Sequence, residues 1–189
     1  MVELRDKVFG LLIQSGEQET PFYHKTVLER LCMSLAYLAL HTNNTCWQTS
    51  ITDIISFGSN YGPTQCFISL NILKNICITF ENKQFSQKET AIIKRWLKEN
   101  VSKVFEYANQ ILSGGGDLPR EVYLACLSVA KHWCCFSKKS FIIHENFIQT
   151  ILHLLVNDSS MHIYKKVINV IRKLLTQSDH VKLLSNMSF

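Results

Sequence analysis

The residues of this sequence that could do chemistry are thiols and imidazoles. The chain has seven cysteines and seven histidines, and Cys126, His132, Cys134 and Cys135 fall within one short stretch. Such a group could bind zinc, or it could combine a nucleophilic thiol with a general base. Zinc ligands, however, usually come as C-x₂–₄-C pairs with a second pair at a set distance, and no such pattern is present. Adjacent cysteines on a helix point about 100° apart. Packing is therefore the preferred interpretation of Cys134 and Cys135.

The remaining cysteines favour the same interpretation. Seven is an odd number, and most of the cysteines lie within apolar runs, which is typical of reduced, buried thiols. A Cys–His pair brought together by the fold stays open as a remote alternative, a thiol-dependent enzyme on a helical scaffold, although no local motif supports it. We predict no catalytic residue, no metal and no cofactor.

A triple glycine, Gly114-Gly115-Gly116, is the other segment with a chemical interpretation. It is not a phosphate-binding loop, because no strand precedes it and no G-K-[ST] follows it. We predict a turn between two helices.

The elements that carry these residues are predicted to be helices throughout. Apolar residues recur at helical spacing along almost the whole chain, which has only seven glycines and three prolines. Pro63 suits a first helical turn, and Ser86 with Glu89 forms a capping-box pattern. Trp47 is placed on the third predicted helix. No strand is predicted.

The predicted helices pair into repeats. The first helices of four hairpins begin near residues 2, 46, 87 and 141, at spacings of 44, 41 and 54 residues that bracket the HEAT/armadillo period. The fold class predicted is all-α: a right-handed α-solenoid of about four HEAT-type antiparallel helical hairpins. We expect one array over residues 1–189, with hairpins at about 2–41, 46–81, 87–137 and 141–176 and a partial helix at 179–189.

Charge and hydropathy exclude several classes of protein. The net charge is +5, with four basic and six acidic residues in 1–60 but 16 basic and nine acidic in the remainder. The second part favours an acidic partner surface, yet it lacks the dense basic stripe of a nucleic-acid binder. The longest apolar stretch, Leu31 to Leu40, is about half a membrane span. We expect a soluble intracellular protein that contacts neither membrane nor nucleic acid directly.

One segment of the sequence resembles a known family. Residues 27–40 have the form V-L-x-R-L-C-x-x-L-A-x-L-A-L, and Trp47 follows at the start of the next repeat. This block is similar to an early HEAT repeat of the importin-β superfamily, in the branch of importin-13 and transportin-SR. Arg30-Leu31-Cys32 and Trp47 favour importin-13. The resemblance extends over most of residues 4–176.

The resemblance implies a nuclear transport receptor found in cytoplasm and nucleus. Its partners would be protein cargo on the concave surface and Ran-GTP on the early repeats. A full receptor is several times longer, so the chain would be an early-middle piece lacking the first two or so repeats. Family members are usually acidic, whereas this chain is basic. A HEAT scaffold or adaptor unrelated to transport is the main alternative.

Polar residues on the second helices are the candidate binding residues. In a stacked array these helices line the concave side, where partners dock. Lys165, Asn169 and Arg172 share one helical face, flanked by Lys166 and Lys173. A simply solvated face is the alternative for each of them. The candidate partner-binding residues are Arg30, Lys74, Asn75, Lys165, Asn169 and Arg172.

Overall fold

The computed structural model describes residues 6–12, 23–60, 62–114, 118–137, 141–157 and 161–175, and within them the chain is helical with no strand. This confirms the predicted all-α class. The helices are α1 (residues 6–12), α2 (Tyr23–Thr42), α3 (Ser50–Asn60), α4 (Pro63–Asn82), α5 (Gln87–Ser113), α6 (Arg120–Trp133), α7 (Phe141–Asn157) and α8 (Met161–Leu175), with a 3₁₀ turn at Cys134–Phe136.

The starts of α4 and α5 follow from local sequence. Pro63 occupies the first turn of α4, after Gly62 at a φ of 110°, a backbone angle that glycine adopts without strain. The predicted capping box opens α5: the Ser86 backbone N–H donates to Glu89 Oε2 at 2.9 Å, and the Glu89 N–H donates to Ser86 Oγ at 3.3 Å. The Ser86 hydroxyl and then its backbone N–H lower the pKa of the Glu89 carboxyl.

Trp47 corrects the sequence prediction for the third helix. Trp47 was expected on that helix, but α3 begins at Ser50 and Trp47 lies in the preceding turn. Its indole N–H donates to Asp53 Oδ2 at 2.7 Å, and Thr49 Oγ1 donates to the same oxygen at 3.1 Å. The carboxylate in the first turn of α3 therefore holds the tryptophan outside the helix. Its ring is buried, with an edge-on contact to Phe9 at 6.4 Å between centroids.

The chain forms two compact units, Met1–Trp96 and Leu97–Phe189, whose boundary falls within α5. In the first unit, α3 packs against α4 as a hairpin and α2 packs along the other side of α4. This core contains fully buried side chains from all three helices: Leu35, Ile51, Ile54, Ile68, Leu70, Ile72 and Leu73.

The second unit repeats the arrangement. Here α7 and α8 form the hairpin, and α6 packs against α8. Phe147 of α7 meets Phe105 of α5 edge-on, with ring centroids 5.2 Å apart, and Trp133 is fully buried. In both units a second helix packs on the second helix of the hairpin before it, which is the stacking of an α-solenoid.

The predicted repeat boundaries and the single array over 1–189 stay predictions. The predicted helix at 179–189 lies outside the described residues, as do Gly115 and Gly116 of the triple glycine.

Among the helices described, none combines the length and the apolar character needed to cross a membrane.

Candidate partner-binding surfaces

A groove runs between α2 and α4 in the first unit. Helical spacing explains it, because residues three and four apart share a face, so each helix contributes one row of side chains to the walls. The groove encloses about 260 Å³. Its lining consists of Leu28, Glu29, Cys32 and Met33 from α2, with Phe67, Asn71, Lys74, Asn75 and Ile78 from α4.

Two of the candidate residues line this groove. Lys74 and Asn75 are both half-buried in its wall, and Lys74 Nζ donates a hydrogen bond to Asn71 Oδ1 at 2.8 Å. Lys74 therefore presents a positioned ammonium beside the apolar side chains of Met33 and Phe67. Arg30 is exposed on α2 but does not line the groove.

Cys32 lies at the base of the groove, and its thiol is buried and unreactive. Its side chain is 1% exposed, and its thiol makes a long contact of 4.0 Å to the Ile68 carbonyl oxygen across the helix interface. Burial raises the pKa of the thiol to about 12, and the attraction of Lys74 only partly opposes that rise. Because the thiolate is the nucleophile, this cysteine is unreactive at neutral pH.

The cysteines near His132 are also explained by packing. Each thiol donates to a backbone carbonyl oxygen: Cys126 Sγ to that of Ala108 at 3.2 Å, Cys134 Sγ to that of Lys131 at 3.0 Å, and Cys135 Sγ to that of His132 at 2.9 Å. Within the described ranges, no group of three or more His, Cys, Asp or Glu side chains is arranged to hold a metal ion.

Two cysteines depart from the predicted burial. Cys46 is exposed and Cys135 is half-buried, whereas the other five are buried. Cys46 follows the end of α2 in a turn. It was grouped with the buried thiols, but the polar segment His41 to Thr45 precedes it, and the side chains of a turn do not follow the helical stripe.

An aromatic cluster beside the groove was not found from the sequence. Lys83 Nζ lies 3.7 Å from the centroid of the Tyr37 ring, the geometry of a cation–π interaction. The His41 ring is 4.1 Å from Tyr37 and 5.4 Å from Phe85, which stacks on Phe80 at 6.0 Å. Tyr37 and His41 are four residues apart on α2, so their proximity could be inferred from the sequence. Lys83 and Phe85 follow α4, and only the fold brings them near.

The second surface is the exposed face of α8. Ile163, Val167 and Val170 form its buried stripe. The candidate residues Lys165, Asn169 and Arg172 are all exposed, and their spacing of three and four residues places them on one face.

Apolar side chains share that exposed face, which the sequence interpretation missed. Met161 is 62% exposed, Tyr164 52% and Ile168 42%. They also follow a spacing of three and four residues, so the signal was present in the sequence. The α8 surface is defined here as Met161, Tyr164, Lys165, Ile168, Asn169 and Arg172.

A wider cavity of about 580 Å³ lies in the second unit between α5, α6 and α7. Thr150 stands in its wall, and its hydroxyl donates to Asn109 Oδ1 at 2.8 Å. The cavity is lined by Leu112, Ser113, Tyr123, Gln149, Thr150, His153 and Leu154.

Stacked helical hairpins, with a groove and an exposed helix face on their second helices, define the chain as a helical-repeat protein. A protein-family model described as "Exportin 1-like protein" matches residues 24–171, most of the chain, and the chain belongs to this family. The match confirms the resemblance to the importin-β superfamily of nuclear transport receptors, whose members are not enzymes. It spans the α2–α4 groove and all of the α8 surface except Arg172. No similar sequence is found among curated proteins.

Proposed function

We propose that this chain is the partner-binding HEAT-repeat segment of an importin-13-like nuclear transport receptor. It binds protein cargo under the control of Ran-GTP and moves between cytoplasm and nucleus. Membership of the exportin 1-like family supports transport as the role. The Arg30-Leu31-Cys32 block and Trp47 support the importin-13 branch.

The observation that carries the proposal is the placement of exposed and half-buried groups on second helices. In the first unit, the groove between α2 and α4 holds the Lys74 ammonium, bonded to Asn71, in a lining that mixes apolar side chains with the Glu29 carboxylate. In the second unit, α8 offers a mixed basic and apolar face. Protein interfaces combine such apolar patches with a few oriented polar groups.

The mechanism is surface complementarity coupled to repeat geometry. Each hairpin of a solenoid contacts only its neighbours, so a small rotation at one junction changes the spacing of the second helices there. The α2–α4 groove lies at such a junction, and its width follows that rotation. Ran-GTP, which contacts the early repeats, and cargo then affect each other's affinity through one conformational equilibrium.

The test is binding of Ran to the protein expressed from its complete coding sequence. Ran loaded with GTP is expected to bind at least about tenfold more tightly than Ran loaded with GDP, a difference of about 1.4 kcal/mol. A Ras-type GTPase loaded with the same nucleotides is the control. Equal binding of the two Ran forms would contradict the proposal and favour a HEAT scaffold unrelated to transport.

A matched pair of variants tests the groove. Lys74→Glu and Lys98→Glu make the same change of charge, the first in the groove wall and the second on the exposed side of α5. Lys74→Glu is expected to weaken Ran-GTP binding while Lys98→Glu leaves it unchanged. Equal loss in both variants would mean that only net charge matters.

A further inference from the structure

We propose that the α8 surface binds an acidic, amphipathic helical segment of a partner protein. The inference rests on the partner-binding role proposed for the second helices and adds the chemical class of the partner. It concerns only residues of the second unit.

The exposed face of α8 has two adjacent rows. Met161, Tyr164 and Ile168 form the apolar row, with exposed fractions between 42% and 62%. Lys165 and Arg172 lie beside it and are exposed. Both rows lie opposite the buried stripe of Ile163 and Val167, because the helix repeats every 3.6 residues. A partner that covers this face meets apolar and cationic groups side by side.

The charge of α8 indicates the sign of the partner's charge. Residues Met161–Leu175 include Lys165, Lys166, Arg172 and Lys173 but no aspartate or glutamate. An acidic segment is therefore attracted to this helix, whereas a basic segment meets no carboxylate on α8. The surplus of basic residues over acidic ones after residue 60 acts in the same direction.

The spacing of the side chains within each row favours a helix as the bound form of the partner segment. Lys165 and Arg172 are seven residues apart, which is two helical turns or about 10 Å along the axis. A helix with two carboxylates seven residues apart reproduces this distance. Apolar residues at positions three and four apart on the same helix then face Met161, Tyr164 and Ile168. Burying these side chains removes apolar surface from water, which favours binding.

The apolar row also separates this partner from a nucleic acid. Phosphates can pair with Lys165 and Arg172 and a base can stack on Tyr164, but a nucleic acid offers no counterpart to the exposed aliphatic side chains of Met161 and Ile168. A protein segment satisfies both rows.

The experiment places a photo-crosslinking benzoylphenylalanine at position 168 of the full chain in cells. Mass spectrometry then identifies the crosslinked peptides. Crosslinks are expected on a segment of another protein in which Asp or Glu accompanies Leu, Ile or Val at helical spacing. The same probe at position 99, an exposed site on α5, is the control and is not expected to trap that segment.

Charge reversal then tests recognition directly. The identified segment, made as a synthetic peptide, is expected to bind Lys165→Glu/Arg172→Glu at least about tenfold more weakly than the native protein. The matched control, Lys94→Glu/Lys98→Glu on α5, changes the net charge equally at exposed positions and is expected to bind normally. A peptide whose acidic residues are changed to lysine is expected to regain binding to the reversed variant. Circular dichroism verifies that both variants fold.

Several outcomes would overturn the inference. These are absence of a crosslink, crosslinks to residues 176–189 or to a second copy of the chain, trapped nucleic acid, a segment without acidic residues, and equal loss in both charge variants. Measuring Ran-GTP binding on the same variants keeps the two proposals apart. If the protein binds the acidic helix but shows no preference for Ran-GTP, this inference stands and the transport role is rejected. If the protein prefers Ran-GTP but does not bind the helix, the transport role stands and this inference is rejected.

Discussion

Helices α4 and α8 hold the same place in their units but have different surfaces. Each is the second helix of a hairpin and packs on the second helix of the hairpin before it. In α4, nine of 20 residues are buried, and every large apolar side chain is buried or half-buried. In α8, three large apolar side chains are exposed opposite the buried stripe. The comparison teaches that the same repeat position can be largely buried in one unit and can present an exposed apolar face in the other.

The largest effect is expected from truncating the α4 core. Leu73 is fully buried between its neighbours, so Leu73→Ala loses burial and leaves a cavity. We expect a loss of about 2–5 kcal/mol in the free energy of unfolding, measured from urea unfolding followed by circular dichroism. A cost below 1 kcal/mol would contradict the assignment of α4 to packing.

The next effect is a pH dependence at the junction of α2 and α4. Burial against α4 raises the pKa of the Cys32 thiol to about 12, from its ordinary value of 9.0. The folded state therefore favours the neutral thiol, so this stability is full below pH 9 and is lost as pH rises from 9 towards 12. For this thiol we expect a loss of about 1 kcal/mol between pH 9 and pH 10.

Cys32→Ala is the reference for that measurement, because it removes the thiol and keeps the other titrating groups. The native protein should lose stability more steeply above pH 9 than the variant does. Parallel curves would show that the thiol is not buried at the junction.

A smaller effect is expected where the chain leaves α4 and enters α5. Ser86→Ala removes the hydroxyl that accepts from the Glu89 N–H. We expect a loss of about 1 kcal/mol in the free energy of unfolding, as for other N-cap substitutions. Ser86→Thr retains a hydroxyl that can accept from the Glu89 N–H and donate to the Glu89 carboxylate, so it should recover most of the stability. An alanine variant as stable as the native protein would mean that the cap contributes nothing.

The smallest effect on stability is expected on α8. Ile168 is 42% exposed, so Ile168→Ala should change the free energy of unfolding by less than about 0.5 kcal/mol. The same variant should weaken binding of the acidic segment. A stability loss as large as that of Leu73→Ala would erase the contrast between the two helices.

Local patterns predicted much of this fold. The helical period, Pro63 and the Ser86–Glu89 box each act within one or two turns, and they indicated the helices and the start of α5 correctly. Trp47 was misplaced because a hydrogen bond to Asp53 holds it in the turn before α3. The two residues of this hydrogen bond are close in sequence, but the spacing of apolar residues carries no information about it.

The candidate surfaces were only partly predictable, for a physical reason. The shared face of Lys165, Asn169 and Arg172 follows from spacing alone. The half-burial of Lys74 depends on α2, about forty residues earlier, and on its bond to Asn71. Exposure of Ile168 depends on what packs beside α8, and its apolar type indicates the opposite. Residue type predicts burial well only where the neighbours of a helix are known.

The exposure of Cys46 has a practical consequence. All seven cysteines lie within the described residues, and Cys46 alone is exposed, while Cys135 is half-buried. Cys46 lies in the turn after α2 and lines neither the groove nor the α8 surface. A maleimide dye should therefore label the native chain first at this position, without removal of other cysteines. The labelled protein could then report binding by fluorescence anisotropy with its partner surfaces unmodified.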